Sequence, residues 1–371
     1  MNQKLTLLIY MAADNNLDGA GEKDLESLRK GSIYSDITIV VQRDRWAFVD
    51  DVETVRYHIK RGVVFKEENL GETNTGDPAV LKNFIEQSAK LYPSDKLIVV
   101  IWSHGSGTDD FDVYTGKRDR YFVPEEEIEA IGVAYDDAAK DFLDNIELQK
   151  ALEVEAKIDV LGFDACLMGM FEIAYQLRHQ ADVMVASQHL EPSSGWDYPR
   201  ILEDLKVESN AIEMGEQLVD FYGAYYERES DDITQSAINT AMVEEVAKDL
   251  DAFSQVLLEH IASKKELKYT LFSTQLFNKS DYIDLVDFIN NVMNRLAIKP
   301  LACYAEKLLC SLDKLIVGNY TIGQRMRNAN GVSLYFPSNK RPFKETFEMY
   351  EKLEFSKDYP HWIALIKWYY A

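Results

Sequence analysis

Short unbroken apolar runs, separated by stretches of helical spacing, carry the chain through its first two thirds. Leu5 to Ala12, Ile37 to Gln42, Leu97 to Trp102, Ile158 to Phe163 and Val183 to Ser187 have the length and continuity expected of buried strands. Between them the spacing predicts helices at Gly21 to Lys30, Asp77 to about Ala89, Asn145 to Leu152 and Leu167 to Arg178, the last with Glu172 and Arg178 left for solvent. Asp77-Pro78 supplies the cap and the first helical position of the second of these. Val52 to Ile59 and Gly62 to Phe65 read as a hairpin at the sheet's edge. Strand, helix, strand in this order predicts an α/β architecture around a mostly parallel sheet. Past Gln235 the pattern changes. Ser236 to Val243 is a short strand, and Glu244 to Ala371 is rich in helix with one strand, Gly331 to Pro337, and an amphipathic core helix at Tyr282 to Leu296. The expected organisation is a large α/β domain over residues 1–235 and a helix-rich subdomain over 236–371.

Two of the predicted strands end in reactive side chains. Lys96–Gly107, KLIVVIWSHGSG, delivers His104 where its strand should stop, and Ile158–Met170, IDVLGFDACLMGM, delivers Cys166 in the same way. Ligands of open parallel sheets bind outside the carboxyl ends of the strands, so both side chains are expected in one crevice. A thiol nucleophile beside an imidazole that protonates a leaving amine is the arrangement of Cys–His catalysis. Either residue alone is more often a buried small side chain or a turn histidine; the matched pair favours chemistry. Gly105, directly after the histidine, lets backbone approach a substrate closely, and its N–H with that of Cys166 would hold an oxyanion. Asp164, two residues before Cys166, should point to the same side of the strand as the thiol. At the floor of a pocket it would pair with Arg or Lys; the competing reading is a structural Asp capping the following helix. Gly195 and Trp196, in the loop 188–198, read as a pocket wall, with His189 a lesser candidate than His104.

These stretches resemble the clostripain-like cysteine peptidases, within the caspase, legumain and gingipain group. The matching segments are LIYMAADNNLD (8–18), LGETNTGDPAVLKNFI (70–85), LIVVIWSHGSG (97–107), the run from 158 to 198 and NANGVSLYFP (328–337). The resemblance implies a caspase-like αβα sandwich and a thiol endopeptidase working through a Cys–His dyad with no catalytic carboxylate. It also implies preference for basic residues at P1, with peptides or proteins as partners. Enzymes of this group often mature by cutting between the histidine and cysteine strands, which makes Lys117, Arg118 and Arg120 candidates for self-processing in the polar stretch Thr108–Asp144. A thiol acyl or amide transferase and a non-catalytic peptide-binding homologue are the alternatives.

Composition narrows the partners. With 40 Lys+Arg against 63 Asp+Glu, the formal charge of −23 argues against nucleic acid and anionic membranes and suits basic substrates. The three cysteines form no disulfide framework, and no leader is evident after Met1, so a cytoplasmic monomer is expected, or a secreted protein if a leader has been removed. DNNLDG (14–19) imitates the opening of a calcium loop, with Asp14, Asn16 and Asp18 as ligands, but places Leu25 where the closing Glu belongs. No metal or cofactor is therefore assigned, and calcium remains only what the resemblance implies.

Overall fold

The computed structural model describes residues 3–46, 53–108, 132–228, 232–339 and 347–371. The chain runs β1 (Gln3–Ala13), α1 (Asp18–Gly31), β2 (Thr38–Arg45), β3 (Thr54–Lys60), β4 (Val63–Gly71), α2 (Pro78–Leu91), β5 (Ser94–Trp102), β6 (Val133–Asp136), β7 (Asp141–Leu143), α3 (Asn145–Ala151), β8 (Ile158–Asp164), α4 (Phe171–Gln176) and β9 (Ala181–Ala186). It continues through α5 (Tyr198–Asp204), α6 (Ala211–Tyr226), β10 (Ile233–Asn239), α7 (Val243–His260), α8 (Lys264–Leu271), β11 (Tyr282–Asp284), α9 (Leu285–Arg295), α10 (Ala302–Leu315), β12 (Ile316–Ile322) and β13 (Ser333–Tyr335). Helices Glu354–Asp358 and Pro360–Tyr370 close the described chain.

One nine-stranded sheet organises the molecule, in the order β12-β10-β9-β8-β5-β1-β2-β3-β4. Its five central strands run parallel, as the βαβ pattern requires, and antiparallel pairs flank them on both sides. The β3–β4 hairpin turns at Arg61 and Gly62, whose φ values of 47° and 77° suit a two-residue primed turn. Because successive residues of a strand face opposite ways, β1 feeds two cores. Leu5, Leu7, Ile9 and Met11 pack with Leu25 and Leu28 of α1 and with α5 and α6. Leu8, Tyr10 and Ala12 pack with Leu81 and Phe84 of α2 and with residues of α7, α9, α10 and the last helix. The result is an αβα sandwich. No helix among the described residues is long and apolar enough to cross a membrane.

Three expectations change. The boundary at residue 235 falls inside β10, and β12 continues the same sheet beyond it, antiparallel to β10. β12 escapes a periodicity reading because IVGNYTI carries Gly318 and Asn319 and is only half-buried as an edge strand. The helix expected from Leu167 shrinks to Phe171–Gln176. The four residues before Phe171 form a loop tied to the segment after β9, with the Leu167 N–H donating to His189 O at 3.0 Å and Gly169 N–H to Ser187 O at 2.7 Å. Glu172 does not face solvent. It is fully buried, and its Oε1 accepts from the Tyr335 N–H and the Tyr350 hydroxyl, anchoring α4 to the C-terminal region.

Candidate active site

Parallel pairing of β5 with β8 sets the site. Trp102 stands opposite Asp164, the register carries on through the Ser103 N–H to Asp164 O at 3.3 Å, and His104 and Cys166 then lie two residues beyond that pair on neighbouring strands. Adjacent strands are ~4.8 Å apart, so both side chains stand at one edge of the sheet. Gly105 closes the approach: a Cβ there would sit 2.4 Å from the Cys166 carbonyl oxygen, so only glycine lets the histidine turn abut the cysteine turn. Leu167, immediately after the cysteine, takes φ 63°, a left-handed conformation unusual for a leucine, and the bond to His189 O holds it there.

His104 Nε2 bonds to Asn16 Oδ1 at 2.6 Å. A side-chain carbonyl only accepts, so Nε2 carries the proton and the Nδ1 lone pair is left for chemistry. Burial pushes the imidazole down to about 4, against the opposing charge of Asp137, so the ring is neutral near pH 7. The Cys166 Sγ accepts the Glu191 N–H at 3.2 Å. Burial pushes the thiol up to about 12, a direction that the negative charges of Glu191 and Asp164 reinforce. No hydrogen bond joins the imidazole to the sulfur among the described residues. Thiol and imidazole thus stand as a neutral pair rather than as a thiolate–imidazolium ion pair.

Behind the cysteine, three carboxylates converge. Asp164 Oδ2 accepts from the Tyr198 hydroxyl at 2.7 Å and the Trp196 N–H at 3.3 Å. Asp24 Oδ2 accepts from the Trp102 indole N–H at 2.8 Å, and Glu191 Oε1 from the Gln235 amide at 3.2 Å. Gly195 packs into the group, since a Cβ there would lie within 3.2 Å of both Asp164 and Asp24 oxygens. Among the described residues no lysine or arginine forms an ion pair with any of the three. Burial therefore dominates their titration, pushing Asp164 up to about 6, Asp24 to about 8 and Glu191 well above the carboxylate range, with the charge of Asp164 adding to the rise of Asp24 and Glu191.

His104, Cys166, Gly105, Asp164, Gly195 and Trp196 are thus brought together. His189 is turned aside, its Nδ1 accepting from the Asn278 N–H. The competing reading of Asp164 as a helix cap does not hold, because its side chain meets Tyr198 and Trp196 rather than the start of α4. The polar residues of the 14–19 turn diverge: Asn16 serves His104, while Asp18 pairs with Arg43 at 2.8 Å and Arg45 at 3.3 Å. Lys117, Arg118 and Arg120 lie outside the described residues. Sequence reasoning missed Asn16 as the histidine's partner, and Asp24 and Glu191 as companions of Asp164. Asp24 left a signal, since it shares the buried stripe of α1 with Gly21, Leu25 and Leu28. Glu191, in an irregular loop, left none.

A thiol and an imidazole on adjacent strand ends of a caspase-like sandwich define a class, and residues 9–368 match the model of the clostripain family: the chain belongs to that family. It is 29% identical over 239 residues to clostripain of Hathewaya histolytica, an alignment covering 55% of this chain and 43% of clostripain, so the match spans less than half of that relative's length. Two solved structures share the fold. The inactive zymogen of a C11 protease from Parabacteroides distasonis superposes with TM-score 0.73 at 21% identity, covering 97% of this chain and 99% of its own. A secreted C11 cysteine protease from Bacteroides thetaiotaomicron, in complex with an irreversible peptide inhibitor, gives 0.71 at 19% identity over 99% and 100%.

Proposed function

We propose that the protein is a cysteine endopeptidase that cleaves after Arg or Lys. The observation that carries the specificity is the group of three buried carboxylates next to the nucleophile, which form no ion pair among the described residues. An arginine or lysine side chain entering there would displace the held protons and form charge-assisted bonds. The Cys166 sulfur attacks the scissile carbonyl while its proton passes to His104 Nδ1, and the carbonyl electron pair moves onto oxygen beside the Gly105 and Cys166 N–H groups. Collapse breaks the C–N bond, the amine leaves with the proton from His104, and water activated by His104 hydrolyses the thioester. Chromogenic amides differing only at P1 test this. Arg and Lys amides should be hydrolysed and Leu and Glu amides ignored; comparable rates for all four would overturn the specificity.

Two further results are expected. For an arginine substrate, KM should fall as pH rises from about 6 to about 8, because the raised carboxylates ionise across that range and only the ionised form attracts the cation. The sign is opposite to that of a group needing protonation, and His104, already neutral, adds nothing there. A KM flat with pH would contradict it. Asn16→Ala should lower kcat roughly tenfold with KM unchanged, while Asn16→Asp should retain the histidine's acceptor and shift the acidic limb of the kcat profile upward. Equal losses in both variants, with no shift of the profile, would make Asn16 merely structural.

A further inference from the structure

The segment that follows β9 serves both halves of the site, and its anchor lies outside every role assigned above. Within residues 187–191, His189 O holds the Leu167 N–H at 3.0 Å and Ser187 O holds the Gly169 N–H at 2.7 Å. The Glu191 N–H bonds to Cys166 Sγ at 3.2 Å, while the Glu191 carboxylate stands with Asp164. The turn that presents the sulfur and the acidic pocket behind it therefore share one short piece of chain. That piece is irregular, with no strand ladder to fix it, so side chains must. Thr234 of β10 takes one share, its Oγ1 accepting from the Gln188 and His189 N–H groups at 3.0 Å each, and the Asn278 N–H bonds to His189 Nδ1 at 3.1 Å. The Gln188 side chain takes the other. It is fully buried and reaches into the C-terminal region, Nε2 donating to Asp284 Oδ2 at 3.0 Å and Oε1 accepting from the Gly331 N–H at 2.8 Å. Gly331 takes φ 102°, and a Cβ there would meet Ile316 Cγ2 at 2.7 Å, so only glycine brings this N–H to the amide.

We propose that Gln188, fixed by Asp284 and Gly331, is a positioning residue that sets the Cys166 turn and Glu191 in their working places, an inference that rests on the peptidase reading above. Being fully buried, it acts through its neighbours rather than on the substrate. An amide matched at both its oxygen and its nitrogen is fixed in place and in rotation. Asp284 is a firm partner. It too is fully buried at the end of β11, Oδ1 accepting from the Asp287 N–H at 2.8 Å and the Asn330 amide at 2.9 Å, and Oδ2 from the Asn330 N–H at 2.6 Å as well as from Gln188. Burial pushes its carboxyl up to about 6, against the donors of Asp287, Asn330 and Gln188, so it is largely ionised near pH 7 and strengthens the bond from the amide. Ser333, paired with Asp284 across β11 and β13, grips the nucleophile turn as well, its N–H and hydroxyl donating to Gly169 O at 2.9 and 3.1 Å. The left-handed Leu167 persists only while its surroundings hold it. Without the Gln188 anchor, His189 O is free to withdraw, Leu167 relaxes and the sulfur turns with it.

The test compares the whole wild-type protein with Gln188→Met, which nearly keeps the volume and removes both bonds. Amide exchange followed by mass spectrometry should quicken about tenfold in peptides spanning Cys166–Phe171 and stay unchanged in peptides of β2, because only a local opening is eased. A peptidyl electrophile with arginine at P1, used as an active-site titrant, should still label every site. Its rate per site should fall roughly tenfold or more, and its advantage over the matching leucine reagent should narrow. A role in folding alone would lower the number of titratable sites and leave the rate per site and the preference untouched. Should Gln188→Met not fold, Asp284→Asn, which keeps an oxygen to cap α9, gives the same reading. Wild-type exchange in the nucleophile turn, or a wild-type rate per site with wild-type preference, overturns the proposal, as does a loss confined to the count of sites. A wild type that reacts with neither reagent would strike the peptidase reading instead, and the exchange result then decides the anchor by itself.

Discussion

Cys166→Ala is expected to lose amidase activity roughly 10⁴-fold or more while keeping the wild-type melting temperature to within a few degrees. The first part follows from the sulfur's place, on the strand beside His104 and two residues past the Trp102–Asp164 pair. The second follows from what alanine would lose: a half-buried thiol whose partner is the Glu191 N–H, a bond worth about 1 kcal/mol. His104→Ala should fall comparably in kcat, since without it neither the thiol proton nor the leaving amine is served. Cys303→Ala and Cys310→Ala, both exposed, are the controls and should be neutral. Because burial pushes the thiol up to about 12 and the imidazole down to about 4, Cys166 has no standing thiolate. It should therefore react slowly with a small haloacetamide and quickly with an electrophile that a bound peptide delivers to it. Ordinary activity in either Cys166→Ala or His104→Ala, by stopped-time assay with an arginine amide, would remove the dyad.

Removing the charge of the acidic pocket should separate specificity from reactivity. Asp164→Asn keeps the shape of the side chain and an oxygen for the Tyr198 hydroxyl, so it tests charge alone. For arginine substrates kcat/KM should fall on the order of 100-fold, the scale of losing one partner of a desolvated charge pair, while haloacetamide labelling of Cys166 does not fall, since the lost charge is one that opposes the thiolate. Glu191→Gln should act in the same direction, and the double variant less than multiplicatively, because the two carboxylates share one environment. Equal losses of cleavage and of thiol reactivity would instead mean that Asp164 only supports the Gly195–Tyr198 loop.

Much of this was legible in the sequence, for physical reasons. A parallel strand buried on both faces must be almost wholly apolar, so β1, β2, β5, β8 and β9 announced themselves, and a polar residue closing such a run marks the sheet's functional edge. His104, Cys166 and Asp164 are placed at strand ends by that pattern, which is where the structure has them. What stayed hidden depends on contacts distant along the chain. β12 is a half-buried edge strand whose identity comes from pairing with β10, and the loop after Cys166 exists because residues near Ser187 and His189 bind its N–H groups. Glu172 sits at a helix position that looks solvent-facing until Tyr335 and Tyr350 arrive from the C-terminal region. Asn16 looked like a metal ligand because D-x-N-x-D is a spacing motif, whereas spacing says nothing of which neighbour each oxygen meets.

The central claim, a basic-selective nucleophile at Cys166, is tested most directly by labelling the whole protein with two peptidyl electrophiles that differ only in carrying arginine or leucine at P1. Peptide mass spectrometry then locates the adduct among the three free cysteines. The expected result is rapid, stoichiometric modification of Cys166 by the arginine reagent, no faster than background with the leucine reagent, and loss of the arginine reaction in Asp164→Asn. Labelling of Cys166 by both reagents at the same rate, or adducts confined to Cys303 and Cys310, would contradict it.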